Sequence, residues 1–560
     1  MKKMPYGISN YETIMTENYY YVDKTKYIEK LEDLADRTIM FLRPRKFGKT
    51  LFTSVLENYY DIKKQDKFET LFEQTYIGKN PTKLKNSYYI LRFNFSGINT
   101  ETVETTMNGF KNEVISSINK FIQKYNVDFT IGNNIGAEGI LNNFLNIFEI
   151  QKPEEKIYVI IDEYDHFANE LLSFQTEQFK NLVSKNGKVR KWYEILKKGT
   201  ETVVGRIFIT GVAPITLDSL TSGFNTATDI TRDIRFNEMF GFTLEEIQGL
   251  LKEQKISEEE QEKILPIMKE NYDGYKFSLK AKNHMYNSNM CLYFLTDYIA
   301  LNEMPERLID MNIASDYAKL SRMLDLCKGE KRKEIIEKTV LGEGIISEIT
   351  DKFNPEVEFK EKEMISMLFY LGYLTIVGQE FYIPELKIPN KVMKEIYADY
   401  FMEKLNEQTK FEIEQVEYVE IMKEIALEGK IEKITEMLGK YLNNLSNRDY
   451  QNFDEKYVKL IFYCIAMSLK IFYIKSEIEV KRKYPDILLI PREIDKEYYA
   501  VMIEFKYLKK TEENKLEEKQ KEARDQIIEY GNIEEIRNIK NLRKYTVIAV
   551  NDKIYVEEIS

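Results

Sequence analysis

Two stretches of this chain place charged side chains where phosphate chemistry could use them. In "SEIEVKRKYPDILLIPREIDKEYYAVMIEFK" (476–506), Asp486 opens one strand-like run, while Glu504 and Lys506 lie on the next. Side chains alternate along a strand, so Glu504 and Lys506 share a face, with Phe505 opposite. If the two strands pair, Asp486 and Glu504 converge and can hold Mg²⁺, a hard cation that takes carboxylate oxygens and keeps several waters. Lys506 then helps position or deprotonate an attacking water and offsets charge developing on a phosphate. Glu and Lys inside the apolar run "YAVMIEFKY" are costly unless used or paired. A partly buried Glu–Lys pair is the competing reading.

The second stretch is "FLRPRKFGKT" (41–50), which carries the closing half of the pattern G-x-x-x-x-G-K-[ST]. Gly48 lets the backbone approach a phosphate, Lys49 reaches its outer oxygens, and the Thr50 hydroxyl can ligate Mg²⁺. Arg43 stands where the first glycine belongs, and Pro44 removes an amide donor. Arg45 and Lys46 can supply charge in place of the lost amides. Downstream, "IYVIIDEYD" puts Asp162 and Glu163 at the end of a very apolar run. There Asp162 would hold Mg²⁺ through water and Glu163 would polarise an attacking water. "RIFITGV" places Thr210 as a polar sensor of the outer phosphate. A basic helix start with no ligand is the alternative for the loop alone.

The elements that must position these residues are legible from hydrophobic pattern. "RTIMFL", "SYYILRFNFSG" (87–97), "KIYVIIDEYD" (156–165) and "RIFITGVAP" (206–214) have strand length and composition, with helical stretches between them around 104–125 and 175–199. Such alternation predicts a parallel, doubly wound α/β domain over 1–275. Residues 276–445 read as mostly helical. Within them 363–397 (helix, "YLTIV", "EFYIP", helix) makes a winged-helix-like unit, and the charge-rich stretch 404–445 reads as a spacer. From 446 to 560 a helix at 457–469, strands at 471–480, 484–490 and 498–507, a charged helix near 512–531 and the strand "KYTVIAV" (544–550) predict a second α/β domain.

Composition narrows the chemistry. A chain of 560 residues with 43% hydrophobic and 31% charged content is an ordinary globular protein, too long for one core. No apolar run is long enough to span a bilayer, and "MKKMPYGISNYET" lacks the apolar region of a signal peptide, so a cytoplasmic protein without membrane association is expected. Three scattered cysteines and the two histidines His166 and His284 argue against disulfides and against a Cys/His zinc site. Any metal must therefore rest on carboxylates. A net charge of −11 gives no global nucleic-acid footprint, so a nucleic-acid surface has to be local. Lys481, Arg482 and Lys483 are the candidates for backbone contact, with a merely solvated turn as the alternative.

Taken together, "YVDKTKYIEKL" (21–31), "FLRPRKFGKT", "VIIDEYD", "ITGV" and "YDGYKFS" (272–278) resemble the AAA-ATPase-like proteins of bacteria over most of 1–290. In that family the loop typically reads R-P-R-R-F-G-K-S, so the resemblance implies ATP binding despite Arg43. It also makes Arg232 and Arg235 candidates for an arginine finger or sensor, with Asp233, Glu238 or other acids as their alternative partners. Residues from about 450 resemble the PD-(D/E)XK nuclease-like domain that accompanies this ATPase-like domain. That resemblance implies Glu477 or Glu479 as an additional acidic ligand and Gln526 as a helix glutamine facing the site, with Tyr530 on the same helix face. The turn before Asp486, "KRKYPD", lacks the glycine the family often has there.

The resulting expectation is an ATP- and Mg²⁺-dependent protein whose nucleotide state gates a metal-dependent nuclease acting on nucleic acid, with DNA the expected partner and the choice between DNA and RNA left open. The sequence leaves room for a homo-oligomer. By fold-level analogy such an arrangement suits defence or mobile-element processing. The alternative is an ATP-dependent switch whose nuclease-like domain binds a partner without cleavage.

Overall fold

The computed structural model describes residues 2–132, 135–166, 188–214, 227–305, 307–310, 320–321, 324, 330–351, 353, 360–445, 454–476, 485–492 and 496–559. By compactness the chain forms two units, one of residues 1–327 with 346–392 and one of 328–345 with 393–560.

The first unit is built on five parallel strands: β1 (Thr38–Leu42), β2 (Tyr89–Asn94), β3 (Ile157–Asp162), β4 (Val204–Gly211) and the two-residue β5 (Thr228–Asp229). Their order is β2-β3-β4-β1-β5. Every residue of β1 and of β3 is buried, as expected for strands covered on both faces. Crossover helices include Lys49–Tyr60, Val103–Tyr125 and Ala137–Gln151. The strand order sets β4 between β1 and β3, so Leu42, Asp162 and Gly211 end along one edge of the sheet. In open α/β sheets that carboxyl edge is where ligands bind.

The unit also takes in sequence far from the loop. The helix Glu361–Leu371 ends at Gly372 and leads into the hairpin β7 (Thr375–Glu380) and β8 (Ile383–Lys387), preceded by the two-residue β6 (Ile345–Ile346). The Thr375 hydroxyl donates to the Gly274 carbonyl at 3.0 Å and accepts from the Lys276 amide at 2.8 Å. Gly274 has φ +101°, and a Cβ there would lie 2.0 Å from the Pro389 carbonyl oxygen. Only glycine satisfies both constraints.

The second unit carries a mixed sheet of β9 (Phe472–Ser476), β10 (Ile487–Pro491), β11 (Ala500–Leu508), β12 (Leu542–Val550) and β13 (Lys553–Ile559), ordered β13-β12-β11-β10-β9. β10 and β11 are antiparallel, whereas β11 and β12 are parallel and joined through the helix Leu516–Gly531. On one face the helix Glu455–Ser468 packs Phe462 edge-on to Phe505 at 4.9 Å. On another, Leu488 and Met502 cluster with Ile527 and Tyr530.

Two expectations need correction. β13 was not anticipated. Only Ile559 of "KIYVEEI" is buried, and the run is held as a strand by its antiparallel partner β12. The stretch 404–445 is not a spacer. Its helices Gln415–Lys423 and Glu432–Asn444 bury Ile421, Ile434, Leu438 and Leu442, and the Tyr545 hydroxyl on β12 donates to the Gly429 carbonyl at 2.8 Å. Charges on the outer face disguised an amphipathic inner one.

Candidate functional site

In the first unit, Gly48 has φ +93° and starts the helix Lys49–Tyr60, whose first amides face a cavity of about 520 Å³. Arg45, Lys46, Gly48, Lys49, Thr50 and Glu163 all line that cavity. Its other wall is apolar, with Ile8, Tyr20, Val22, Phe240 and Leu292 among its residues. A charged end and an apolar end are what a nucleoside phosphate presents.

Lys49 is buried and its ammonium donates to the Arg43 and Pro44 carbonyls, both at 2.9 Å. Burial lowers its pKa, opposed by Glu163, Asp165 and Asp162. Asp162 is fully buried. One oxygen accepts from Arg92 at 3.4 Å and the other has no hydrogen-bond partner among the described residues. Burial raises the Asp162 carboxyl, and Arg92, Lys49 and the Thr50 hydroxyl oppose that shift. Arg92 in turn reaches Glu57 at 3.2 Å and Thr53 at 3.1 Å on the helix that starts at Lys49. Glu163 has φ +50°, a conformation that costs a non-glycine residue energy and here turns the chain just past β3. Its carboxylate lies 3.6 Å from His166 Nδ1.

Asp162 is not itself on the cavity lining, and three further candidates lie elsewhere. Thr210 is buried and donates to the Phe41 carbonyl at 2.9 Å, off the cavity lining. Arg232 pairs with Asp351 at 2.7 Å and Arg235 with Asp233 at 2.6 Å, both on the surface and off the lining.

Sequence reasoning missed what replaces the first glycine. Arg43 turns inward, 1% exposed, its guanidinium 4.3 Å from the Phe41 ring and 4.1 Å from the Phe277 ring. It donates to the Thr231 carbonyl at 2.7 Å and the Phe236 carbonyl at 3.2 Å. It also missed Ser288 and Asn289, at the start of the helix Ser288–Leu301. The Ser288 hydroxyl and the Asn289 amide donate to the Lys46 carbonyl at 3.1 and 3.2 Å. Lys46 itself has φ +67°. The "YVDKTKY" segment has a structural part to play: Lys24 is buried and bridges to Glu246 at 2.7 Å.

In the second unit the register Ile487↔Ile503 sets Asp486 beside Glu504 at the end of the β10–β11 ladder. Asp486, Glu504 and Lys506 are 6%, 3% and 7% exposed. The Phe505 amide donates to Asp486 Oδ2 at 2.7 Å, and Lys506 Nζ donates to Glu504 Oε1 at 2.9 Å. Glu504 Oε2 is buried with no hydrogen-bond partner among the described residues. Burial, then the Asp486 charge, push the Glu504 carboxyl up to about 7, with Lys506 opposing. Burial works against the Lys506 ammonium, but the Glu504 carboxylate outweighs it and holds its pKa above the usual range.

Gln526 sits on the helix packed over β11, one turn before Tyr530, and its buried Oε1 likewise has no hydrogen-bond partner among the described residues. Tyr530 belongs to the core cluster with Leu488 and Met502. Glu477, Glu479, Lys481, Arg482 and Lys483 fall outside the described residues. A further lysine, Lys459, escaped the sequence reading: its Nζ donates to Asp486 Oδ1 at 2.5 Å. The signal was present as a lone lysine in the apolar helix "YVKLIFYCIAMSL". Among the described residues no group of three or more His, Cys, Asp or Glu side chains is arranged to hold a metal. A two-carboxylate set with an unpartnered, buried oxygen still fits Mg²⁺, which retains most of its waters.

Comparison with known proteins agrees with this geometry. Residues 5–221 match the family described as "Predicted AAA-ATPase", and residues 453–558 match the PD-(D/E)XK nuclease superfamily. A similar curated protein is the "Uncharacterized protein in vnfD 5'region" of Azotobacter chroococcum mcd 1, 26% identical over 251 residues. That match takes in 44% of this chain and spans 45% of the relative's length. A solved structure, the Aeropyrum pernix ORC2 protein in ADPNP and ADP complexes, aligns over 70% of this chain and 98% of its own at 10% identity. Its TM-score of 0.32 is too low to bear on the fold. The chain thus carries a predicted AAA-ATPase domain and, at its C-terminal end, a PD-(D/E)XK nuclease-superfamily domain. Domains of these two kinds generally use ATP and Mg²⁺. No helix among the described residues is long and apolar enough to cross a membrane.

Proposed function

We propose that this protein binds ATP with Mg²⁺ in its first unit and hydrolyses phosphodiester bonds of nucleic acid in its second, with the nucleotide state gating cleavage. The observation that carries the reading is Glu504: a buried carboxylate with one oxygen unpartnered among the described residues, beside Asp486 and tethered to Lys506.

In the first unit Lys49, now on the Arg43 and Pro44 carbonyls, would reach the outer phosphates, Thr50 and Asp162 would hold Mg²⁺, and Glu163 would polarise the attacking water. Arg45 and Lys46 face the same phosphates. In the second unit Asp486 and Glu504 hold the metal, which when bound supplies Lewis-acid stabilisation and a water of lowered pKa. Lys506, held on the same face, orients that water and offsets phosphate charge, and Gln526 offers its carbonyl to the same region. A panel of labelled DNA and RNA, incubated with Mg²⁺ or Mn²⁺ and with or without ATP, tests this directly. Inertness under every condition sinks the nuclease half.

A second reading, an ATP-dependent switch that binds a partner without cutting, draws on one feature. Both Asp486 oxygens already accept hydrogen bonds.

A further inference from the structure

The two carboxylates at the end of the β10–β11 ladder are unequally engaged. Asp486 Oδ2 is tied to the Phe505 amide, a backbone donor fixed by the strand, and Oδ1 to Lys459. Glu504 has Lys506 on one oxygen and nothing among the described residues on the other. Three of the four oxygens therefore carry N–H donors. Lys459 projects from the helix Glu455–Ser468, and its side chain is 18% exposed. The same Nζ lies 2.9 Å from Glu455, one helical turn earlier. Burial works against this ammonium, and Asp486 and Glu455 outweigh it.

A divalent ion shared by Asp486 and Glu504 needs one oxygen from each. The Phe505 amide is held by its strand and can keep donating to Oδ2, whereas the Lys459 ammonium repels an incoming cation, so the contact that yields is the one from Lys459. A lysine suits this: its charge sits on a flexible four-carbon stem, and Glu455 offers that charge a second seat nearer solvent. Building on the metal-centre reading above, we propose that Lys459 is a resident cation of Asp486. It occupies the place of the divalent ion and yields it by releasing Asp486 while keeping the contact it already makes with Glu455. The buried Asp486 charge is thereby paired in the metal-free centre, and metal binding carries the cost of displacing an internal competitor.

The test is calorimetric titration of the full chain with Mn²⁺ in the absence of nucleotide. Asp486→Asn identifies the heat that belongs to this centre. Lys459→Met should bind Mn²⁺ at least about tenfold more tightly than wild type, since one like charge at contact distance shifts such equilibria by one or more decades. Glu455→Gln, which removes the second seat and leaves the Asp486 pair intact, should bind about tenfold more weakly. Melting curves add a readout for a poorly stable variant: metal-free Lys459→Met should melt below wild type and gain more from saturating Mn²⁺. Equal or weaker Mn²⁺ affinity in Lys459→Met, with Asp486-dependent binding still seen in wild type, overturns the displacement and leaves the metal centre standing. Unchanged affinity in Glu455→Gln overturns the second seat. Absence of Asp486-dependent binding in both wild type and Lys459→Met overturns the metal centre itself.

Discussion

The Arg43 guanidinium stacks 4.1 Å from the Phe277 ring, joining the residue that replaces the first loop glycine to a segment more than two hundred positions downstream. Phe41 covers the guanidinium at 4.3 Å, and backbone carbonyls satisfy much of its hydrogen bonding. Arg43 thus anchors the loop from behind, and the phosphate side is left to Arg45, Lys46 and Lys49.

Restoring glycine should therefore harm the loop. Arg43→Gly is expected to cost on the order of 2–4 kcal/mol through lost cation–π contact and an emptied buried site. ATP affinity should fall with it. A thermal melt paired with ATP titration checks this, and tighter ATP binding by the glycine variant would refute the anchor.

At the cavity, Lys49→Ala should abolish most ATP·Mg²⁺ affinity, because the ammonium is the cation closest to the helix start. Glu163→Gln should leave affinity within about twofold and slow hydrolysis by roughly 10²-fold or more, the usual scale of a lost general base. Nucleotide calorimetry and a phosphate-release assay separate the two. Equal loss of binding in both variants would mean Glu163 serves the pocket rather than the water.

For the second unit, Asp486→Ala, Glu504→Ala and the double variant should lose similar cleavage activity, since residues that act as a unit are non-additive. Lys506→Ala should abolish cleavage while keeping Mn²⁺ binding, because its ammonium is no ligand. Cleavage that survives Lys506→Ala places the chemistry on other residues.

The pH dependence of stability has a definite sign. Glu504 titrates near 7 when folded, against an ordinary value of 4.5, so the folded state favours the protonated acid. Its contribution is fully present below about pH 4.5 and is lost as pH rises through 7. In EDTA, the second unit should lose on the order of 1–3 kcal/mol between pH 5 and pH 8 from this group. Glu504→Gln should flatten that slope. Denaturant melts at several pH values decide, and an unchanged slope would show that another group is responsible.

Much of this was legible in the sequence for a physical reason. Strands buried on both faces are largely apolar, so β1, β3 and β11 announce themselves, and the charged residues at the end of β3 and inside β11 stand out as exceptions. Alternation alone put Glu504 and Lys506 on one face. What escaped depends on contacts between distant positions: Arg43 on Phe277, Ser288 on the Lys46 carbonyl, Lys459 on Asp486. No local periodicity encodes those pairings. β13 escaped because its identity as a strand comes from β12, and the packing of the 404–445 helices escaped because their charges hid a buried stripe.

Gly372 has φ +86°, and a Cβ there would come within 2.8 Å of the Pro44 ring, so the chain after Glu361–Leu371 rests directly against the back of the phosphate loop. Phe47 is edge-on to Tyr275 and Phe277, which Thr375 helps to hold through the Gly274 and Lys276 backbone. Anyone trimming this protein to a minimal ATP-binding fragment therefore faces a splicing problem. A cut after residue 275 would discard Phe277 from under Arg43 and bare Pro44 to water. The compact unit that holds the loop is itself discontinuous, 1–327 with 346–392.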